Sequence, residues 1–440
     1  MHGANGVAIP RRDFIASSIA ATVGAAAALA VAEESATRSS CTIPPVQAWD
    51  PRSDSFAPYF PIGWYSFGPS ARIEELADNG ANTALYAGMG TEAWELGDTL
   101  QQMDVAKELG VKIVVGLHGA VVGTVQFGKP STYGVVVEYV KALNEHPAML
   151  GWQLGDEFSV DAAPRINDTV RLLRELGSKH QTWQVHPHTW SQADVRQLMA
   201  HTDVCSYDGY TYIEDQPEFA NKASARILAW QQAKAELIQT EGWAGNVNVT
   251  QAVGCLCGDS PFRFPTVREY RWNVFSAIST AGSRGTMNWI YSYWGGFYAD
   301  DPQRFFDFRD HVVLPVNREQ RMIARAMESG YNVGVVRSNL DEPTSITIPP
   351  ATGPRSKFNK VGHILLYDVK DEKYFLIVSN NESQEHDVRL TLSDLPARVS
   401  SLAVEEPHRG RELELRNEGG GRYALQDRLA GYDVAIYVLR

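Results

Sequence analysis

Short apolar runs recur along the chain from residue 60 onward, at Phe60–Tyr65, Thr83–Ala87, Lys112–His118, Leu150–Glu157, Thr182–His188, Asp203–Tyr210, Leu237–Glu241 and Gly285–Tyr291. Each has the length and texture of a buried parallel strand. Between them lie segments with apolar residues at i, i+3 and i+4, such as Thr99–Leu109, Tyr133–Leu143, Ala163–Leu176 and Val267–Ala281, which read as helices. Several close on a Gly before the next strand, as at Gly110 and Gly177, the usual helix stop. Strand and helix alternating eight times predict a (β/α)8 TIM barrel. An open doubly wound sheet fits less well, because no Gly-rich phosphate loop follows the first strand.

Beyond Gly330 the period changes to two. Val333–Val336, His363–Tyr367, Tyr374–Val378, Val388–Leu392, Glu412–Leu415 and Val434–Leu439 are separated by turn-forming stretches. This pattern predicts a small C-terminal antiparallel β-sandwich domain over 331–440. Residues 33–57 are aperiodic and read as a linker or entry segment, which leaves 58–330 for the barrel. A chain of 440 residues is long enough for both domains.

The first 32 residues have a different character. Arg11-Arg12-Asp13-Phe14-Ile15 precedes an Ala-rich apolar stretch that ends in Ala30-Val31-Ala32. This is the layout of a twin-arginine signal peptide with an A-x-A cleavage site, and it predicts a secreted or periplasmic protein. The stretch is too short and too Ala-rich to anchor a membrane span. The net charge is -12, with no basic run outside the N-terminus. That excludes the clustered Lys and Arg on which nucleic-acid binding depends. Four cysteines are too few for a disulfide scaffold. Cys205 reads as a buried apolar residue, while a bridge from Cys41 to Cys255 or Cys257 stays open.

Two glutamates stand at the ends of apolar runs: Glu157 in Leu154-Gly-Asp-Glu157 and Glu241 in Ile238-Gln-Thr-Glu241. Barrel enzymes keep their chemistry at the C-terminal tips of the strands. A pair of carboxyl groups there is the equipment for glycosidic bond cleavage, one as acid and one as base or nucleophile. Trp289 and Trp294, at the end of the eighth run, are candidate flat platforms for a sugar. A rival constellation is His118, His186, His188 and Asp208, which could hold a metal as in amidohydrolase-like barrels. Against it, the first strand reads Ile62-Gly-Trp-Tyr65 rather than His-x-His.

Over about residues 60–330 the layout resembles the clan A retaining glycoside hydrolases, whose catalytic Glu residues end strands four and seven. Val114-Val-Gly-Leu-His118-Gly is similar to the Leu-His-Gly segment of cellulase-like members, Val204-Cys-Ser-Tyr-Asp-Gly-Tyr210 to the segment that gives a Tyr to the nucleophile, and Met287-Asn-Trp289 to the one that floors the sugar site. The resemblance implies Glu157 as acid/base and Glu241 as nucleophile of a double displacement on an oligo- or polysaccharide. It implies sugar contacts from His118, Asp156, Tyr210, Trp289 and Trp294, and neither cofactor nor metal. One departure is Asp156, where the clan has Asn before the acid. Asp accepts from a sugar hydroxyl but cannot donate to it, and two adjacent carboxylates suit keeping one proton between them. A barrel that binds glycan without cleaving it is the alternative.

The leader carries its own test. Replacing Arg11 and Arg12 together by Lys is expected to leave full-length precursor inside the cell, read by fractionation and intact mass. Unchanged secretion would show that another export route is used.

Overall fold

The computed structural model describes residues 43–65, 73–86, 96–117, 133–210, 212, 217–219, 223–257, 260–291, 302–330, 332–341, 343–346, 356–401 and 403–440. The leader at 1–32, Cys41, His118 and Trp294 lie outside these residues.

Eight parallel strands close into a barrel. They are β1 (Ile62–Trp64), β2 (Thr83–Tyr86), β3 (Lys112–Gly116), β4 (Met149–Asp156), β5 (Gln181–Pro187), β6 (Val204–Asp208), β7 (Ala244–Gln251) and β8 (Thr286–Trp289). Each pairs with its successor, and β8 returns to β1 through Thr286–Ile62 and Asn288–Trp64. Tyr65, Leu85, Val114, Leu150, Trp183, Val185, Val204, Val247, Val249 and Met287 pack together inside. Around the barrel run α1 (Ile73–Asp78), α2 (Leu96–Leu109), α3 (Tyr133–Leu143), α4 (Ala163–Glu175), α5 (Gln192–Leu198), α6 (Ala223–Glu241), α7 (Val267–Ala281) and α8 (Leu314–Ser329).

Seven of the eight strands fall on the runs read from sequence; the seventh does not. Leu237–Glu241 is the last turn of α6, a helix of 19 residues. Its Ala, Gln, Lys, Glu and Leu content favours helix, and Leu228, Ala235 and Ile238 are buried at helical spacing. Gly242 ends it with φ +70°. The Gly242 N–H donates to the Gln239 carbonyl at 3.3 Å and the Trp243 N–H to the Ile238 carbonyl at 3.1 Å. This is the Schellman stop, in which Gly takes the left-handed position at no steric cost. The true β7 escapes an apolar-run search because its outward positions are polar. Asn248 Nδ2 donates to Asn273 Oδ1 at 3.0 Å, and Thr250 Oγ1 to Asn288 Oδ1 at 2.6 Å. Hydrogen bonds to α7 and to β8 replace apolar packing on this outer face.

The entry segment is also more ordered than its composition predicts. Val46–Asp50 and Ser55–Tyr59 pair as an antiparallel hairpin. Val46 is buried with the inward residues of the barrel, and the Gly245 N–H donates to the Pro44 carbonyl at 3.0 Å. The hairpin thus closes the end of the barrel where the strands begin.

The C-terminal part is an antiparallel array of β9 (Val335–Ser338), β10 (Val361–Asp368), β11 (Lys373–Asn380), β12 (His386–Ser393), β13 (Ala403–Glu406), β14 (Arg411–Gly419), β15 (Arg422–Leu429) and β16 (Val434–Leu439). Their order is β9-β12-β15-β14-β13-β16-β11-β10, and their inner faces share one apolar core. Residues 41–440 form one compact unit. Helix α7 joins its two halves: the Trp272 indole N–H donates to the Asn380 carbonyl at 3.0 Å, and Arg271 Nη1 to the Val434 carbonyl at 2.6 Å. Trp272 is fully buried. Trp272→Ala is therefore expected to cost ~3–5 kcal/mol of stability, read as a lower urea midpoint in equilibrium unfolding.

Candidate active site

The site is built on an irregularity in β4. The register between β4 and β5 shifts between Gln153 and Gly155, a bulge that turns the following side chains. Gln153 and Asp156 are an odd number of residues apart, so a regular strand would point them to opposite faces. With the bulge, both meet the Tyr65 hydroxyl at the end of β1. Gln153 Nε2 donates to that oxygen at 2.7 Å, and the hydroxyl donates to the Asp156 carboxylate. The Glu157 N–H extends the ladder to the Val185 carbonyl at 3.0 Å. Glu157 then takes φ +53°, a left-handed backbone that non-Gly residues adopt at a cost and that clusters at functional sites. Its side chain is exposed at the mouth.

The end of β6 supplies the partner. The Asp208 side chain is hydrogen-bonded to the Glu157 side chain and accepts from the Tyr210 hydroxyl. Two carboxyl groups in hydrogen-bond contact hold a proton between them, because one must donate. Burial, with repulsion from Glu157 next, pushes Asp208 well above the ordinary carboxylate range. Burial also pushes Asp156 up to about 6; the Tyr65 hydrogen bond opposes this and the Glu157 charge adds to it. The Tyr65 and Tyr210 hydroxyls are pushed up by burial and then by the neighbouring Asp charges, so both stay protonated donors. Beneath these groups Ser206 is buried, and Ser206 Oγ and Gln153 Oε1 make no hydrogen bond among the described residues.

Aromatic rings flank the carboxyl groups. Tyr210 stacks on Trp289 with centroids 4.9 Å apart and planes at 21°, and the Trp289–Ile290 peptide is cis. At the end of β5, His188 stacks on Trp230 at 3.5 Å. Its Nδ1 lies 3.0 Å from the Asp208 carbonyl oxygen, which makes Nδ1 the protonated nitrogen. Burial lowers His188 to about 4, so the ring is neutral at pH 7. His186 belongs elsewhere: its neighbour Val185 packs inside the barrel, so His186 faces the helices, between Trp190 and Tyr207. Burial lowers it to about 3. Among the described residues, no three His, Cys, Asp or Glu side chains are grouped to hold a metal ion.

Of the residues singled out from sequence, Asp156, Glu157, Tyr210 and Trp289 come together at the mouth. Glu241 does not. It ends α6 at the side where β7 begins, and its carboxylate meets Arg196 Nε at 2.6 Å. The eight residues of β7, roughly 25 Å of strand, separate it from the mouth. The residue that ends β7 is Gln251. Its Oε1 accepts from the Tyr212 N–H at 3.0 Å, and its Nε2 donates to the Tyr212 carbonyl at 3.0 Å and the Arg263 carbonyl at 2.9 Å. The groups that sequence reasoning missed are Tyr65 and the pairing of Asp208 with Glu157. A carboxylate as the last residue of the buried run Val204–Asp208 was the available signal.

No family model matches the sequence, and no curated protein matches it. Among solved structures the chain is similar to a glycoside hydrolase family 5 protein from Bacteroides vulgatus, 11% identical, covering 87% of this chain and 89% of that one with a TM-score of 0.54. A second, described as a glycoside hydrolase, is 10% identical over 87% of this chain and 92% of that one, with a TM-score of 0.53. The likeness is one of fold: the chain has the barrel architecture of these glycoside hydrolases.

Raised carboxyl groups make stability depend on pH. A folded-state value above the unfolded one of about 3.9 favours the protonated form. The contribution is therefore fully present below pH ~4 and is lost as pH rises through the folded value. For Asp156, that value is about 6; the loss is on the order of 3 kcal/mol by pH 8. Asp156→Asn and Asp208→Asn should each raise the melting temperature at pH 8 and leave it nearly unchanged at pH 4. Equal shifts at both pH values would contradict the assignment.

Proposed function

We propose that the protein is an exported glycoside hydrolase acting on a β-linked oligo- or polysaccharide, with Glu157 as acid/base. One observation carries this reading: a closed barrel whose C-terminal mouth holds Glu157 in hydrogen-bond contact with Asp208, beside the stacked Tyr210 and Trp289 rings. The Glu157–Asp208 contact places a shared proton within reach of the exposed Glu157 carboxyl group, which suits protonation of a leaving glycosidic oxygen. Asp208 is buried and Glu157 exposed, so Glu157 is the member that reaches substrate. Trp289 and Tyr210 offer apolar ring surface for a sugar face.

A second reading, a barrel that binds carbohydrate without cleaving it, is favoured by Gln251. A neutral amide tied to the backbone at both ends stands where strand seven would carry a nucleophile.

The purified protein, assayed on aryl β-glycosides and polysaccharides, is expected to release sugar. Glu157→Gln should lower kcat by ~100-fold or more. Glu241→Gln should leave kcat within about twofold, because it removes only a surface ion pair. Retained polysaccharide binding with no release by the unaltered protein would favour the binding barrel.

A further inference from the structure

Bond cleavage with retention needs something to attack the anomeric carbon, and β7 does not supply it: Gln251 ends that strand. The Glu157 and Asp208 carboxyl groups are in mutual contact, whereas an acid and a nucleophile working on opposite faces of a sugar stand ~5–5.5 Å apart. The pair therefore acts as one proton carrier. Among the described residues at the mouth, the carboxylate outside that pair is Asp156, immediately before the acid and oriented by Tyr65. The substituent on sugar C2 is vicinal to the bond that Glu157 protonates, so the side chain beside Glu157 is its neighbour.

Resting on the glycoside hydrolase reading, we infer that the substrate is a β-linked 2-acetamido sugar and that its acetamido oxygen, oriented by Asp156, is the nucleophile. Asp156 accepts the acetamido N–H. A carboxylate is suited to that donor, and the contact both turns the carbonyl oxygen toward C1 and raises its electron density. With a value of about 6, Asp156 is mainly ionised at pH 7. A 2-hydroxyl also donates to Asp156, but its oxygen reaches C1 only through a strained three-membered ring. The acetamido oxygen closes a five-membered one.

The steps balance without a co-reactant other than water. Glu157 gives its proton to the glycosidic oxygen as the C1–O bond breaks, and the acetamido oxygen forms a bond to C1. The resulting oxazolinium keeps its N–H on the Asp156 carboxylate. Glu157, now ionised, takes a proton from water; the water oxygen bonds to C1 and the acetamido oxygen leaves. The product keeps the β configuration, and Glu157 ends protonated.

The test uses the unaltered protein and paired methylumbelliferyl β-glycosides that differ only at C2. The 2-acetamido member should exceed its 2-hydroxy partner by ~100-fold or more in kcat/KM, the scale of a lost catalytic group. Trifluoroacetamido in place of acetamido, which withdraws electrons from the attacking oxygen, should lower kcat by at least about tenfold. Asp156→Asn should lower kcat on the acetamido substrate by ~100-fold, with melting at pH 4 reporting that it is folded. Equal rates on the pair, a flat fluoroacetamido series, or covalent labelling of a carboxylate by a 2-deoxy-2-fluoro glycoside would overturn the inference and leave a glycoside hydrolase. If neither member of the pair is cleaved, both readings fall.

Discussion

The displaced register of β4 is the constraint on which the mouth depends. Because Gln153 and Asp156 both reach Tyr65, the end of the strand is turned by one residue, and Glu157 is left on a left-handed backbone facing solvent. Remove the bulge and either Asp156 or Glu157 points into the wall. The bulge is held by groups on three sides: the Tyr65 hydroxyl from β1, the Val185 carbonyl from β5, and Asp208 from β6. The backbone cost at Glu157 persists because these neighbours leave no relaxed alternative.

The same neighbours set the electrostatics. A buried Asp208 and a half-buried Asp156 lie beside an exposed Glu, and each is met by a tyrosine hydroxyl rather than by a cation. A Lys or Arg partner would hold them ionised and inert. Tyrosine orients without neutralising, so the cluster keeps both charge and an exchangeable proton. The destabilisation this imposes is spread over a large barrel sealed below by the Val46 hairpin and braced outside by the Asn248, Asn273 and Asn288 network.

Most of the architecture was legible in the chain. Strand–helix alternation located seven strands because their cores are Val, Leu, Ile and Trp, and the change to period two marked the second layer of the molecule. Glu157 was legible because it follows the run Leu150–Asp156. The seventh strand was not, since Asn246, Asn248 and Thr250 hide a buried strand behind polar letters, while Leu237-Ile238 imitates one within a helix. Gly242 is the decisive clue: a Gly after a run of good helix formers stops a helix. Reading Leu237–Glu241 as the strand moves the expected nucleophile to the wrong end of the barrel. The Glu157–Asp208 contact was out of reach of any local pattern, because 51 positions separate the two residues and only barrel closure joins them.

Helix α7 has a consequence for inheritance. From Glu269 to Ser279 every residue is buried; one side faces β7 and β8, the other the sandwich strands. Tyr270 bonds to Asn288 in the barrel at 2.5 Å, and Ser279 to Ser379 in the sandwich at 2.8 Å. A helix apolar or bonded on every side has no surface to offer water. Shuffling between lineages at the seam near Gly330 would pair one parent's α7 with a stranger's β11. The two halves are thus tied to descend together, and new specificities in this lineage should arise by change in the loops at the mouth rather than by exchange of modules.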